Sequence, residues 1–169
     1  ALLEHLDQNY DKSLETLQSV ELKAYANQHQ YMLIEKLIGI NYYYNGEKEL
    51  ANQFFNKSKF ILENAIENNP NDIRLHAEYS LVLGYLGMKK EALKSAKFAT
   101  SMVPIEKDAV IGVEYFITLT KVLTIIGQYQ EAIENLELLR TIPYGPTLES
   151  LSLDPVWNPL HDLPEFQLL

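Results

Sequence analysis

Three glycines set the frame of this chain: Gly46, Gly87 and Gly127 are each followed five residues later by an alanine, at Ala51, Ala92 and Ala132. The glycines stand 41 and then 40 residues apart, and chance rarely preserves two offsets together. A fixed period of this size marks a solenoid, in which one repeat cannot bury its own apolar face and stacks on its neighbours. The middle repeat, Ile73 to Pro104, displays the unit most clearly. It reads as two amphipathic helices folded back at Gly87, the second carrying a stripe of small apolar residues at Ala92, Ala96, Ala99 and Val103.

The rest of the chain falls into place around it. A helix from about Gln30 to Tyr44 carries Leu33, Leu37, Ile40 and Tyr44 on one side, and Asn45 and Gly46 break it. The next helix runs through Ala51, Phe54, Phe55, Ile61 and Leu62 and stops at Pro70, where proline cannot continue it. Asn71 and Asp72 then cap the middle repeat. After Pro104 a helix from about Lys107 to Ile126, a break at Gly127 and a helix from Gln130 to Thr141 repeat the pattern. Upstream, Asp7 to Asp11 reads as a turn between a frayed helix and a second one with Ser13, Leu17 and Val20 as its buried stripe. That half-hairpin, and a start at Ala1 without a leader pattern, suggest a piece of a longer protein.

Composition excludes several classes of function. Of 169 residues 47% are hydrophobic, and only seven are glycine and seven proline, so helix is expected throughout and almost no strand. A formal net charge of −9 opposes a phosphate backbone, which is bound through clustered Lys and Arg, and nucleic acid is not an expected partner. No membrane partner is expected either: the longest apolar run, Val113 to Ile126, is interrupted by Glu114 and Lys121. Without cysteine there are no thiolate zinc sites, disulfides or thiol catalysis. His5, His29, His76 and His161 are scattered and form no ligand set, so no metal and no cofactor is expected. No phosphate-binding, dinucleotide-binding or hydrolase motif is present, and the chain is not expected to be an enzyme.

The Gly–Ala–Pro punctuation resembles the tetratricopeptide (TPR) family, in which the inter-helix turn favours Gly, the second helix opens on a small residue and a Pro ends the repeat. Gly87, Ala92, Ala99 and Pro104 fill those positions, as do Gly46 with Ala51 and Gly127 with Ala132. Tyr42, Leu83 and Leu123 fit the large slot on the first helix, while Glu35, His76 and Phe116 stand where Trp is common. The period exceeds the family's ~34 residues by about two helical turns, which a longer second helix or extra turns at Pro70 and between Pro104 and Val113 would absorb. HEAT-like repeats of ~40 residues are the structural rival, and the punctuation fits TPR better. The resemblance implies an all-α, right-handed superhelix over residues 1–143. It would hold a partial repeat (1–29) and full repeats at about 30–70, 71–104 and 105–143.

Residues 144–169 change character: from Pro143 onward lie five of the seven prolines, and Trp157 is the only Trp. Asp154 before Pro155 reads as an N-cap opening a short helix with Trp157 and Leu160, and a further turn carries Phe166 and Leu169. These residues would cover the exposed apolar end of the solenoid. The run DPVWNPLHDLPEF resembles the tail that closes TPR arrays in multidomain bacterial regulators, departing at Asn158, His161 and Leu163. There such arrays follow cyclase, kinase or DNA-binding domains.

In the TPR family the first helices line a concave groove. Matching the register places Leu33, Lys36, Ile40, Tyr43 and Tyr44 there from the first full repeat, Arg74, Ala77, Leu81 and Tyr85 from the second, and Glu114, Ile117, Lys121 and Thr124 from the third. Lys36, Arg74 and Lys121 could hold a peptide carboxylate, although Ile40 stands where the family's carboxylate clamp has Asn. The Tyr42–Tyr44 run divides, with Tyr42 in the core and its neighbours toward the groove and the next hairpin. The expected role is a cytoplasmic protein-interaction scaffold in a signalling or transcription-regulating protein, with a protein or peptide partner. Part of an enzyme, or a self-association module forming a homo-oligomer, stands as the alternative.

Overall fold

The computed structural model describes all 169 residues, and helix dominates it. Two short helices, α1 (Leu2–Leu6) and α2 (Tyr10–Ser19), precede a two-stranded hairpin of β1 (Ala24–Ala26) and β2 (Tyr31–Leu33). Three helical hairpins follow: α3 (Ile34–Tyr44) with α4 (Lys48–Asn68), α5 (Ile73–Tyr85) with α6 (Lys89–Met102), and α7 (Ile111–Ile126) with α8 (Tyr129–Arg140). The chain closes with α9 (Leu148–Leu153), a 3-10 segment (Pro155–Leu160) and α10 (Pro164–Gln167).

The repeated glycines make the hairpin turns. Gly46, Gly87 and Gly127 have φ of +86°, +74° and +84°, the left-handed region that side chains disfavour. At each one the same pair of hydrogen bonds closes the first helix. Gly127 N–H donates to the Thr124 carbonyl (3.1 Å) and Gln128 N–H to the Leu123 carbonyl (2.8 Å), with Gly87/Met88 and Gly46/Glu47 repeating the pattern. That is the Schellman arrangement, and it reverses the chain within a few residues. Ala51, Ala92 and Ala132, one turn into each second helix, are at most 1% exposed, so the helices approach with no room for a larger side chain.

Stacking supplies the core. Each second helix packs on the first helix of the next hairpin, α4 on α5 and α6 on α7, while α5 also packs on α7. The largest apolar cluster joins Leu83 and Ala96 of the middle hairpin to Leu123, Ile133 and Leu136 of the last, and continues into Leu151, Val156, Trp157 and Leu160. A second cluster, with Phe55, Leu62, Leu75 and Val82, ties the first hairpin to the middle one. The tail therefore covers the end of the stack: Trp157 is 2% exposed and Leu160 fully buried against it. The residues beyond a ~34-residue period lie in the 21-residue α4 and in the Val103–Val110 connection.

Three expectations are corrected. Strand is nearly absent, as expected, but one short antiparallel pair, Ala24–Ala26 with Tyr31–Leu33, moves the start of the helix expected from about Gln30 to Ile34. Asn27 explains the turn between them, because its Oδ1 accepts the N–H groups of His29 and Gln30 (2.8 Å each) and folds the chain back before a helix can nucleate. Val20, expected in the buried stripe with Ser13 and Leu17, is 43% exposed because α2 ends at Ser19, whereas the other two are buried. The third first helix begins at Ile111, since Asp108 Oδ1 accepts from Val110 and Ile111 N–H and holds the preceding residues in turns.

Candidate functional site

Two adjoining hollows lie along the first-helix side of the stack. One, of about 300 Å³, sits among α1, α2, α3, α5 and the 3-10 segment; the other, of about 210 Å³, lies beneath the β1–β2 turn between α3, α5 and α7. Met32, Lys36, Leu81 and Lys121 belong to both walls and join them into one trough. Of the thirteen groove residues placed from sequence, nine line it: Lys36, Leu81 and Lys121 in both hollows, Ile40 and Tyr85 in the first, Arg74, Ala77, Glu114 and Ile117 in the second. Tyr43 is 39% exposed beside it, and Tyr44 is half-buried against α1. Leu33 and Thr124, also expected there, are buried at 1% exposure, Leu33 in the core and Thr124 bonded to the Thr120 carbonyl.

The three cations are already paired with carboxylates of the chain itself. Lys36, 6% exposed, donates to Glu78 Oε2 at 2.6 Å, and Glu78 Oε1 accepts the Leu33 N–H at 2.7 Å. A buried ammonium is tolerated only when paired, so this ion pair fastens α3 and β2 to α5. Lys121 donates to Asp154 Oδ2 at 2.7 Å and lies 6.0 Å from the Trp157 ring, tying α7 to the tail. Arg74 binds Asp72 Oδ1 through Nε (2.9 Å) and Oδ2 through Nη2 (2.6 Å), and the guanidinium holds the Asp72 carboxyl below its ordinary range. Each trough cation is thus paired within the chain, and apolar stretches lie at Ile40, Leu81 and Ile117.

The β1–β2 turn lies across it. Arg74 Nη1 donates to the Asn27 carbonyl, Tyr115 Oη to the His29 carbonyl at 3.0 Å, and Gln30 Nε2 to Glu114 Oε2 at 2.7 Å. Three residues far along the chain, on α5 and α7, therefore hold the turn. Burial pushes the Tyr115 hydroxyl up to about 12, so it stays a donor at neutral pH.

At the other end, aromatic rings close the first hollow. The Tyr44 and Tyr85 hydroxyls meet at 3.3 Å, Tyr85 stacks on Phe55 at 4.9 Å, and Tyr42 stacks on Phe54 at 5.6 Å on the core side. Burial raises both the Tyr44 and Tyr85 hydroxyls well above their ordinary value. His5 of α1 packs on Tyr44 and Tyr10, with Nδ1 3.2 Å from Asn41 Oδ1, and burial lowers its pKa.

Glu78, Asp154, Tyr115 and the hairpin turn were not anticipated. A signal for Glu78 existed: a lone acid inside the apolar run Leu75 to Val82 must find a cation, and Lys36 and Arg74 were candidates. The hairpin was written in Tyr25, Asn27 and Tyr31, strand formers around an Asx turn. Asp154 had a role assigned as an N-cap, which it keeps by accepting the Val156 N–H at 3.1 Å, and nothing local hinted at Lys121. No group of acidic or histidine side chains is arranged to hold a metal ion, and no helix is long and apolar enough to cross a membrane. No family model matches the sequence, and no curated protein or solved structure matches it either.

Proposed function

We propose that this chain is a TPR-like superhelix that serves as a protein-interaction module, with the trough on its first-helix side as the seat of an extended partner segment. It would act as the regulatory or sensory region of a larger signalling or transcription-regulating protein. One observation carries the reading: nine of the thirteen residues chosen as groove-lining from the repeat register line one trough. The trough mixes apolar wall with half-buried Tyr31 and Tyr85, a composition suited to peptide recognition, where aromatic side chains give large contact area at small entropic cost. Its paired cations favour a segment read by main-chain and apolar contacts over one read by a terminal carboxylate.

Selection of random displayed peptides on the intact chain tests this. The expected outcome is a family of extended binders whose affinity falls at least about tenfold when Ile117→Arg blocks the trough, with helical circular dichroism unchanged. Ile117→Ala, which shortens the side chain without a charge, should weaken them less. No enrichment, or binders indifferent to both substitutions, would remove the reading.

A further inference from the structure

We infer that the β1–β2 turn is a built-in stand-in for the partner: it occupies the α5–α7 part of the trough as an extended, turn-forming peptide with a carboxamide side chain would, and a true partner displaces it. This rests on the peptide-binding reading and specifies the ligand chemistry it implies. What the turn offers to α5 and α7 is peptide-like in kind. Two of the three contacts are to main-chain carbonyls, those of Asn27 and His29, received by the Arg74 guanidinium and the Tyr115 hydroxyl; the third is the Gln30 carboxamide on Glu114. Donors that read main-chain carbonyls accept any segment with the same backbone course, so the surface is not specific to this turn. The partner is accordingly a short segment carrying Asn or Gln, presenting carbonyls two residues apart to Arg74 and Tyr115.

The hairpin is fixed at its base and lightly held at its tip. At the base, Leu33 is 1% exposed and its N–H is bound to buried Glu78, and β2 runs without a break into α3. At the tip, Asn27 and Gln28 are exposed, and three hydrogen bonds join the turn to α5 and α7. The turn also keeps its own shape through Asn27, so it can lift as a unit. Tethering gives it an effective concentration on the order of millimolar at its seat, enough to exclude weak segments and to yield to strong ones.

The test compares the intact chain with one in which Asn27–Gln30 is replaced by a two-residue Asn-Gly turn, which suits the paired strands and withdraws the tip. The probe is a fluorescent peptide of residues 23–33, closed into a hairpin by a disulfide between added terminal cysteines, followed by anisotropy. It should bind the shortened chain at least about tenfold more tightly than the intact one, and Tyr115→Phe in the shortened chain should weaken that binding. Equal affinity for the two chains, or none for the shortened chain, overturns the proposal. Should the shortened chain fold poorly, Asn27→Gly with Gln30→Ala loosens the tip at constant length, and the probe should again bind more tightly than to wild type. Peptides selected on the intact chain separate the two readings: if they bind intact and shortened chains alike, the trough still binds peptides and the stand-in is removed.

Discussion

Lys36 and Glu78 show how a single residue can be rightly placed and wrongly used. Lys36 belongs to the trough wall, but its charge is consumed inside the fold, where α3, β2 and α5 meet on one carboxylate. Glu78→Ala strands a buried ammonium and the Leu33 N–H together, and should cost about 3–5 kcal/mol in urea unfolding. Replacing both partners, with Lys36→Met and Glu78→Gln, should recover much of that loss; no recovery would show that the pair is not the stabilising unit. A charge reversal at Lys36 would for the same reason unfold the region instead of reporting on binding. Gly127→Ala, forced into φ +84°, should destabilise by roughly 1–2 kcal/mol, because the left-handed region places Cβ against the following carbonyl. Asp72 carries a pH signature: its folded pKa is depressed, first by the side-chain bond to Arg74. It therefore stabilises above its unfolded value and loses that contribution as pH falls through the lower folded value. Asp72→Asn should flatten the acid limb of the unfolding curve below about pH 4.

Among the elements, α1 and the tail are docked in different ways, and their sensitivities differ accordingly. α1 has no buried residue, and His5 is its main inward contact. Burial lowers the His5 pKa, opposed by the bond to Asn41, while Asp154 and Lys121 act in opposite directions. The folded state thus binds the His5 proton less readily than the unfolded chain does, so stability is full above about pH 6.5 and declines as pH falls through the lower folded value. Acidification should release α1 before the stack unfolds, seen as faster amide exchange in Leu2–Leu6, and His5→Asn should abolish that pH step. The tail is an apolar lock. Trp157→Ala removes a 2%-exposed indole from the largest cluster and should cost about 3–5 kcal/mol. The helical hairpins were legible because their signals are local: a glycine that must take positive φ, an alanine one turn later, a proline at the end. The β-hairpin was not, since three-residue strands carry too little periodicity to compete with the helical pattern on either side.

At the scale of the whole molecule, stability is shared along the stack, because each hairpin completes its neighbour's core. Removing residues 155–169 takes Val156, Trp157 and Leu160 out of the largest cluster and bares the α7 side of the stack, and should produce association in sedimentation and a lower unfolding midpoint. A truncated chain that stays monomeric with an unchanged midpoint would show that the tail is not a cap. By itself the sequence determined the all-helical hairpins, their turns, the period and the closing role of Trp157, because these depend on backbone preference and on spacing along one helix. Only the tertiary structure decided what the groove residues do. Lys36 with Glu78, Lys121 with Asp154 and Tyr115 with His29 are separated by 42, 33 and 86 residues, and such pairs leave no mark in local spacing. Where a charge ends up paired, and which segment lies across the trough, follow from how the hairpins stack.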